Sequence, residues 1–246
     1  MSEDLSVLSR PSAAPDITVA YGDHADQVAD VRYGKNSAAD RPLLILVHGG
    51  FWKPIYDRAH TGPMSVALAA AGWTVAAIEY RRIPGNPDAT LHDVSLALER
   101  LPTLVKQHNG KILLMGHSAG GHLVLWLGAT SKSADLRGIL ALAPAADLRL
   151  TEQLNLGDGA VNKFLGVAAE SRPDVDPQLL REPPAAVTII HGEIDDTVTL
   201  DVAKSYVAKH RRTRLVELPG VAHFAVIDPL SSSWPKVVAE LGRLSG

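Results

Sequence analysis

The hydrophobic pattern changes character near residue 40. Before it, "DITVAYG" (16–22) and "QVADVRYG" (27–34) alternate apolar and polar positions, the period of a half-buried strand, with a turn through Asp23–Asp26 between them. They read as an antiparallel entry hairpin. After it come short, almost unbroken apolar runs: "LLILVHG" (43–49), "TVAAIEY" (74–80), "ILLMGHS" (112–118), "GILALAP" (138–144), "AVTIIHG" (186–192) and "RLVELPG" (214–220). Strands apolar at every position are covered on both faces, which is the environment of a parallel sheet.

Helical stretches fall between these runs. Residues 61–71 are Ala-rich, with Thr61 as N-cap and Pro63 in the first turn, and 88–107 places Leu91, Val94, Leu98, Leu101 and Val105 on one face. Further helices are predicted after Ser118, over 199–210 and over 233–244. Strand and helix alternate throughout, so the fold class is α/β: a doubly wound, mostly parallel sheet of about eight strands, forming a single domain over 1–246. Residues 145–184 break the rhythm. They contain several Pro, Gly and Asp, and are too long for an ordinary connection of about 2–6 residues. They are expected to form a small, lid-like insertion.

Composition narrows the picture. A hydrophobic fraction of 46% with 21% charged residues is that of an ordinary folded protein, neither disordered nor fibrous. The net charge of −3 and the lack of any basic cluster larger than "HRRTR" (210–214) argue against nucleic acid or an anionic membrane as partner. That cluster reads as the solvated end of a helix. Cysteine is absent, which removes disulfides, thiolate metal sites and a cysteine nucleophile together. The opening "MSEDLSVLSRPSAAPD" has neither a basic nor an apolar leader segment, and no apolar run approaches 18 residues, so a cytoplasmic, soluble protein is expected. No metal-binding or nucleotide-binding motif occurs, and no cofactor is required.

The chemistry gathers at one edge of the sheet. In an open parallel sheet, ligands bind beyond the carboxyl ends of the strands. Those ends carry "HGGFW", "GHSAGG", "HGEIDD" and "PGVAHF". "GHSAG" (116–120) fits Gly-x-Ser-x-Gly between a strand and a helix, a turn that presents a serine and leaves no room for side chains at Gly116 and Gly120. The alternative is a serine that only caps the helix. Ser118 needs a base to take its proton. His223, in a short loop after the last strand, is the candidate; His117 and His122 flank the serine too tightly, and His48 and His191 read as loop-shaping. A base of this kind needs a carboxylate to fix its tautomer. Asp195 is favoured over Asp196, which is expected to cap or brace the helix beginning near Thr199.

With these motifs the chain resembles the α/β-hydrolase fold family. "HGGFW" resembles the His-Gly-Gly-x-Trp signature of the kynurenine formamidase group, and "GHSAGGHL" is similar to the elbow of that group and of related small esterases. "EYRRIPGNP" resembles the Tyr-Arg-Leu-Ala-Pro stretch of hormone-sensitive-lipase-type enzymes, but departs from it after Tyr80-Arg81. The resemblance covers about residues 40–240. It implies an oxyanion hole made by the backbone amides of Gly50, Phe51 and Ala119, with Ser118, Asp195 and His223 as the catalytic residues. Trp52, Tyr56 and His60 follow the oxyanion loop and either line an acyl or aryl pocket or, for Trp52, anchor the loop. Glu79 is either a buried structural acid or a pocket residue. The implied activity is serine-hydrolase cleavage of a small ester or a formamide-like amide. A broad carboxylesterase, an exopeptidase and a non-catalytic ligand-binding protein are the alternatives.

Overall fold

The computed structural model describes residues 3–35 and 37–246; Met1 and Ser2 of the opening stretch lie outside them. Eight strands form one sheet: β1 (Ile17–Ala20), β2 (Val28–Arg32), β3 (Leu43–Val47), β4 (Val75–Ile78), β5 (Ile112–His117), β6 (Leu136–Leu142), β7 (Ala186–Gly192) and β8 (Arg214–Leu218). Their spatial order is β1-β2-β4-β3-β5-β6-β7-β8. The first two strands run antiparallel, as the alternating pattern requires, and β3 to β8 are parallel to one another. β3 shows why its run is unbroken. Leu43, Ile45 and Val47 enter the core on one face of the sheet, and Leu44 and Leu46 enter that on the other.

The helices are α1 (Gly62–Ala70), α2 (Pro87–Leu104), α3 (Ala119–Thr130), α4 (Leu148–Gln153), α5 (Ala160–Leu165), α6 (Leu200–Lys209) and α7 (Trp234–Ser245). Asn86 caps α2 through the Ala89 amide at 3.3 Å, one residue before Pro87. That helix stops at Leu104, three residues short of the expected end, because Val105 turns extended and drops its side chain into the core.

The 145–184 segment holds α4, α5 and a short 3-10 turn at Ala169–Ser171. Leu148, Val161, Phe164, Leu165 and Val175 are buried in the same core as the sheet. The segment is therefore packed as part of the body rather than laid over it as a lid. Only Gly157 and Asp158 of it reach the cavity described next. Among the described residues, no helix is long and apolar enough to cross a membrane.

Candidate active site

Between the end of β5 and the start of α3 the backbone reverses at Ser118, with φ 55° and ψ −118°. A non-glycine residue there is strained, and the surroundings hold it in place. Its amide donates to Leu142 O at 2.9 Å, and its carbonyl accepts from the amides of His122 (3.1 Å) and Ala145 (3.2 Å). The flanking glycines are obligatory. A Cβ on Gly116 would lie 2.2 Å from the Gly120 carbonyl oxygen, and one on Gly120 would lie 2.1 Å from that of Val47. Gly120→Ala must push α3 off β3 and is expected to cost about 3 kcal/mol of stability, measurable as a lowered urea midpoint. The Ser118 side chain does not cap α3.

His223 sits in the loop between β8 and the turn at Ala225–Ile227, and its Nδ1 lies 2.7 Å from Asp195 Oδ2. The other oxygen of Asp195 accepts the amides of Thr197 (3.0 Å) and Val198 (2.8 Å), and His191 Nε2 stands 3.3 Å from Oδ2. Burial pushes the Asp195 carboxyl up, but the bonds from His191, His223 and Val198 outweigh it and hold the group well below the usual carboxylate range. An ionised Asp195 accepts from Nδ1–H, which leaves His223 Nε2 as the basic nitrogen. Asp196 is exposed, and its side chain makes no hydrogen bond among the described residues. The expected bracing of α6 is supplied instead by Asp195, whose carboxylate organises the turn leading to Thr199.

Ser118 and His223 line one cavity of about 410 Å³, together with Gly50, Phe51, Tyr56 and His117. The serine hydroxyl makes no hydrogen bond among the described residues. In ligand-free sites such contacts are often long and tighten only around substrate. His117, expected to be too close to the serine to act on it, bonds backward through Nε2 to His223 O at 3.1 Å and steadies the loop that carries the imidazole.

The loop after β3 carries three consecutive residues at positive φ: Gly50 (110°), Phe51 (50°) and Trp52 (55°). Among the described residues, the amides of Gly50, Phe51 and Ala119 donate to no protein acceptor. A side chain on Gly50 would place a Cβ 2.6 Å from Tyr56 Cβ. Behind the loop lies a polar cluster that the sequence leaves undecided. His48 Nδ1 bonds Gly49 O at 2.7 Å, and its Nε2 meets Arg82 Nη1 at 3.1 Å and Glu79 Oε1 at 3.1 Å. Burial, and then the charge of Arg82, push the His48 pKa down to about 3. The ring is therefore neutral, donates from Nδ1 to Gly49 O, and accepts from Arg82 at Nε2. Glu79, which also pairs with Arg82 and takes the Arg58 amide at 3.0 Å, is a structural acid and does not line the cavity.

Tyr56 and His60 line the cavity, but Trp52 does not. It is buried, stacked on Phe164 at 4.6 Å and set edge-on to His122 at 5.2 Å. Of the two expectations for Trp52, pocket wall or loop anchor, the buried and stacked ring, which does not line the cavity, fits the anchor.

Several of these imidazoles are kept neutral by burial: His48 near 3, and His60 and His122 pushed down to about 4. Unfolded, each would titrate near 6.5. Folded pKa values below the unfolded ones mean that the unfolded chain binds more protons between about pH 6.5 and 4. Stability is expected to be fully present above pH 7 and to fall by about 1.4 kcal/mol per pH unit for each such group across that window. Urea denaturation at pH 7 and pH 5 checks the sign.

A family model, BD-FAE, matches residues 29–156, over half of the chain. The chain belongs to the BD-FAE family. The matched part of this BD-FAE protein contains the β3 loop and the elbow, whereas Asp195 and His223 lie beyond it. Among curated relatives, kynurenine formamidase from Salmo salar is 32% identical over 120 residues, covering 48% of this chain and 40% of that protein. Kynurenine formamidase from Danio rerio is 30% identical over 178 residues (64% and 59%), and esterase LipC from Mycobacterium tuberculosis is 29% identical over 248 residues (85% and 60%). The BD-FAE chain thus spans 40–60% of the length of these relatives. Solved structures similar to it include a putative thioesterase from Silicibacter sp. TM1040 (TM-score 0.75, 24% identity, covering 91% of this chain and 86% of that one) and esterase B from Lactobacillus rhamnosis (TM-score 0.76, 20% identity, 95% and 86%). The fold of this BD-FAE protein is the α/β-hydrolase fold.

Proposed function

We propose that this BD-FAE protein is a serine hydrolase that cleaves a small carboxylic ester or a formamide-like amide through an acyl-enzyme. Ser118 Oγ attacks the carbonyl carbon while His223 Nε2 takes the hydroxyl proton. Asp195 keeps His223 in that tautomer and stabilises the imidazolium. The carbonyl oxygen, now negative, moves into the space facing the amides of Gly50, Phe51 and Ala119, each such donor supplying on the order of 3 kcal/mol. His223 returns the proton to the departing alcohol or amine, and water, activated by the same imidazole, releases the acid.

The observation that carries this reading is the meeting, in one cavity, of an uncapped serine at φ 55°, an imidazole paired to a carboxylate at 2.7 Å, and amides with no protein acceptor. The "HGGFW" loop and the relatives named kynurenine formamidase support a formamide; the LipC alignment, over 85% of the chain, supports an ester. A panel comparing N-formylkynurenine with aryl acetates tests the choice. Turnover of at least one class is expected, and a large preference for the formamide would place the chain with the formamidases. No turnover of any ester or formamide by folded protein would contradict the proposal.

A further inference from the structure

The stretch that precedes β1 lies outside the family match, yet it is tied to the site at four points. Glu3 accepts the amide of Phe224, the residue that follows His223. Val7, in the 3-10 turn Ser6–Leu8, is buried in the core with Leu44 and Leu46. Arg10 grips Asp228 with two bonds of 2.5 and 2.9 Å. Ser12 packs on the first residue of α1 so closely that a Cβ on Gly62 would lie 2.2 Å from its Oγ.

This anchoring holds the half-buried Leu8 against the cavity that contains Ser118. A second cavity, of about 400 Å³, lies on the other side of it, between Ser9–Ser12 and the 55–60 loop. The two share three lining residues: Leu8, Tyr56 and His60. Those side chains are the partition between them. Tyr56 lies against Gly50 with its ring partly exposed, and the half-buried His60 ring stands edge-on to His48 at 5.6 Å between ring centroids. Leu8 is the one apolar side chain of the three and comes from a separate segment.

We propose that Leu8 is a specificity-determining residue: it closes the far end of the active-site pocket, restricting it to short acyl groups, and the cavity behind it is a latent subsite for a longer aliphatic acyl chain. The inference rests on the hydrolase reading above. Leu8→Ala removes most of the partition and joins the two cavities. Each methylene of a longer chain that is then buried is worth about fourfold in kcat/KM.

The experiment compares p-nitrophenyl acetate, butyrate and octanoate on wild type, Leu8→Ala, and Leu8→Ala combined with Ala59→Trp, since Ala59 lines only the second cavity. The octanoate-to-acetate ratio of kcat/KM is expected to rise at least tenfold in Leu8→Ala. It is expected to return toward wild type in the double variant, where the indole introduced by Ala59→Trp fills the groove. Leu8 is partly exposed, so the single variant is expected to fold, and the octanoate-to-acetate ratio taken within each variant cancels any change in the basal rate. An unchanged ratio in an acetate-active Leu8→Ala overturns the proposal while leaving the hydrolase reading intact. A rise that Ala59→Trp does not reverse overturns the subsite. A wild type inactive on all three esters overturns the subsite proposal, and one that is also inactive on N-formylkynurenine overturns the hydrolase reading with it.

Discussion

Ser118→Ala is expected to lower kcat on an aryl ester by roughly 10⁴-fold or more, with the folded structure retained. The size follows from what is lost. Without Oγ no acyl-enzyme forms, and the only remaining route is direct attack by water on a carbonyl held near the amides of Gly50, Phe51 and Ala119. Retention of the fold follows from how Ser118 is held. Its side chain forms no hydrogen bond among the described residues, while its amide and carbonyl carry the three bonds that fix the elbow. Alanine keeps all three. Circular dichroism and the urea midpoint should therefore match wild type, so that lost rate cannot be confused with lost protein. A variant with near-wild-type turnover would remove Ser118 from the mechanism.

Asp195→Asn is expected to cost about 10⁴-fold in kcat, while Asp196→Asn stays within a few-fold of wild type. The two neighbours differ in everything that matters to an imidazole. Asp195 is buried, ionised and 2.7 Å from His223 Nδ1; Asp196 is exposed and bonds to nothing among the described residues. An amide at 195 can turn its NH₂ toward Nδ1, forcing the proton onto Nε2, where it blocks abstraction from Ser118. The same substitution weakens the bonds from the Thr197 and Val198 amides, so a modest loss of stability is expected beside the kinetic loss. The opposite ranking, with Asp196→Asn crippling and Asp195→Asn mild, would reassign the carboxylate.

Much of this arrangement is legible in the sequence because its signals are local. The unbroken apolar runs mark strands buried on both faces, and all six of them fall in the parallel part of the sheet. Gly116 and Gly120 are required by contacts made within five residues or with the adjacent strand, so the elbow can be read from one pentapeptide. Trp52 could not be decided that way. Whether it faces the pocket or the core depends on the sign of its φ and on Phe164, more than a hundred residues on. Glu79 is similar: only Arg82 among its partners is local, His48 and Arg58 come from separate segments, and nothing in "EYRR" alone distinguishes a buried acid from a pocket acid.

The packing of the 145–184 segment and of the opening stretch is illegible for a related reason. Both are polar and contain Pro, but a few well-placed apolar side chains, Phe164 in one and Val7 in the other, fasten them to the body. The contact of Glu3 with Phe224 spans 221 residues. Short-range patterning carries no trace of it, and the wall that Leu8 contributes to the site emerges only from the fold.

Reaction of the folded protein with a fluorophosphonate, followed by peptide mass spectrometry, tests the central claim most directly. The expected result is one adduct per chain on Ser118, absent in Ser118→Ala and strongly slowed in His223→Ala. Folded wild-type protein that stays unlabelled, or that carries the adduct on any other residue, would contradict it.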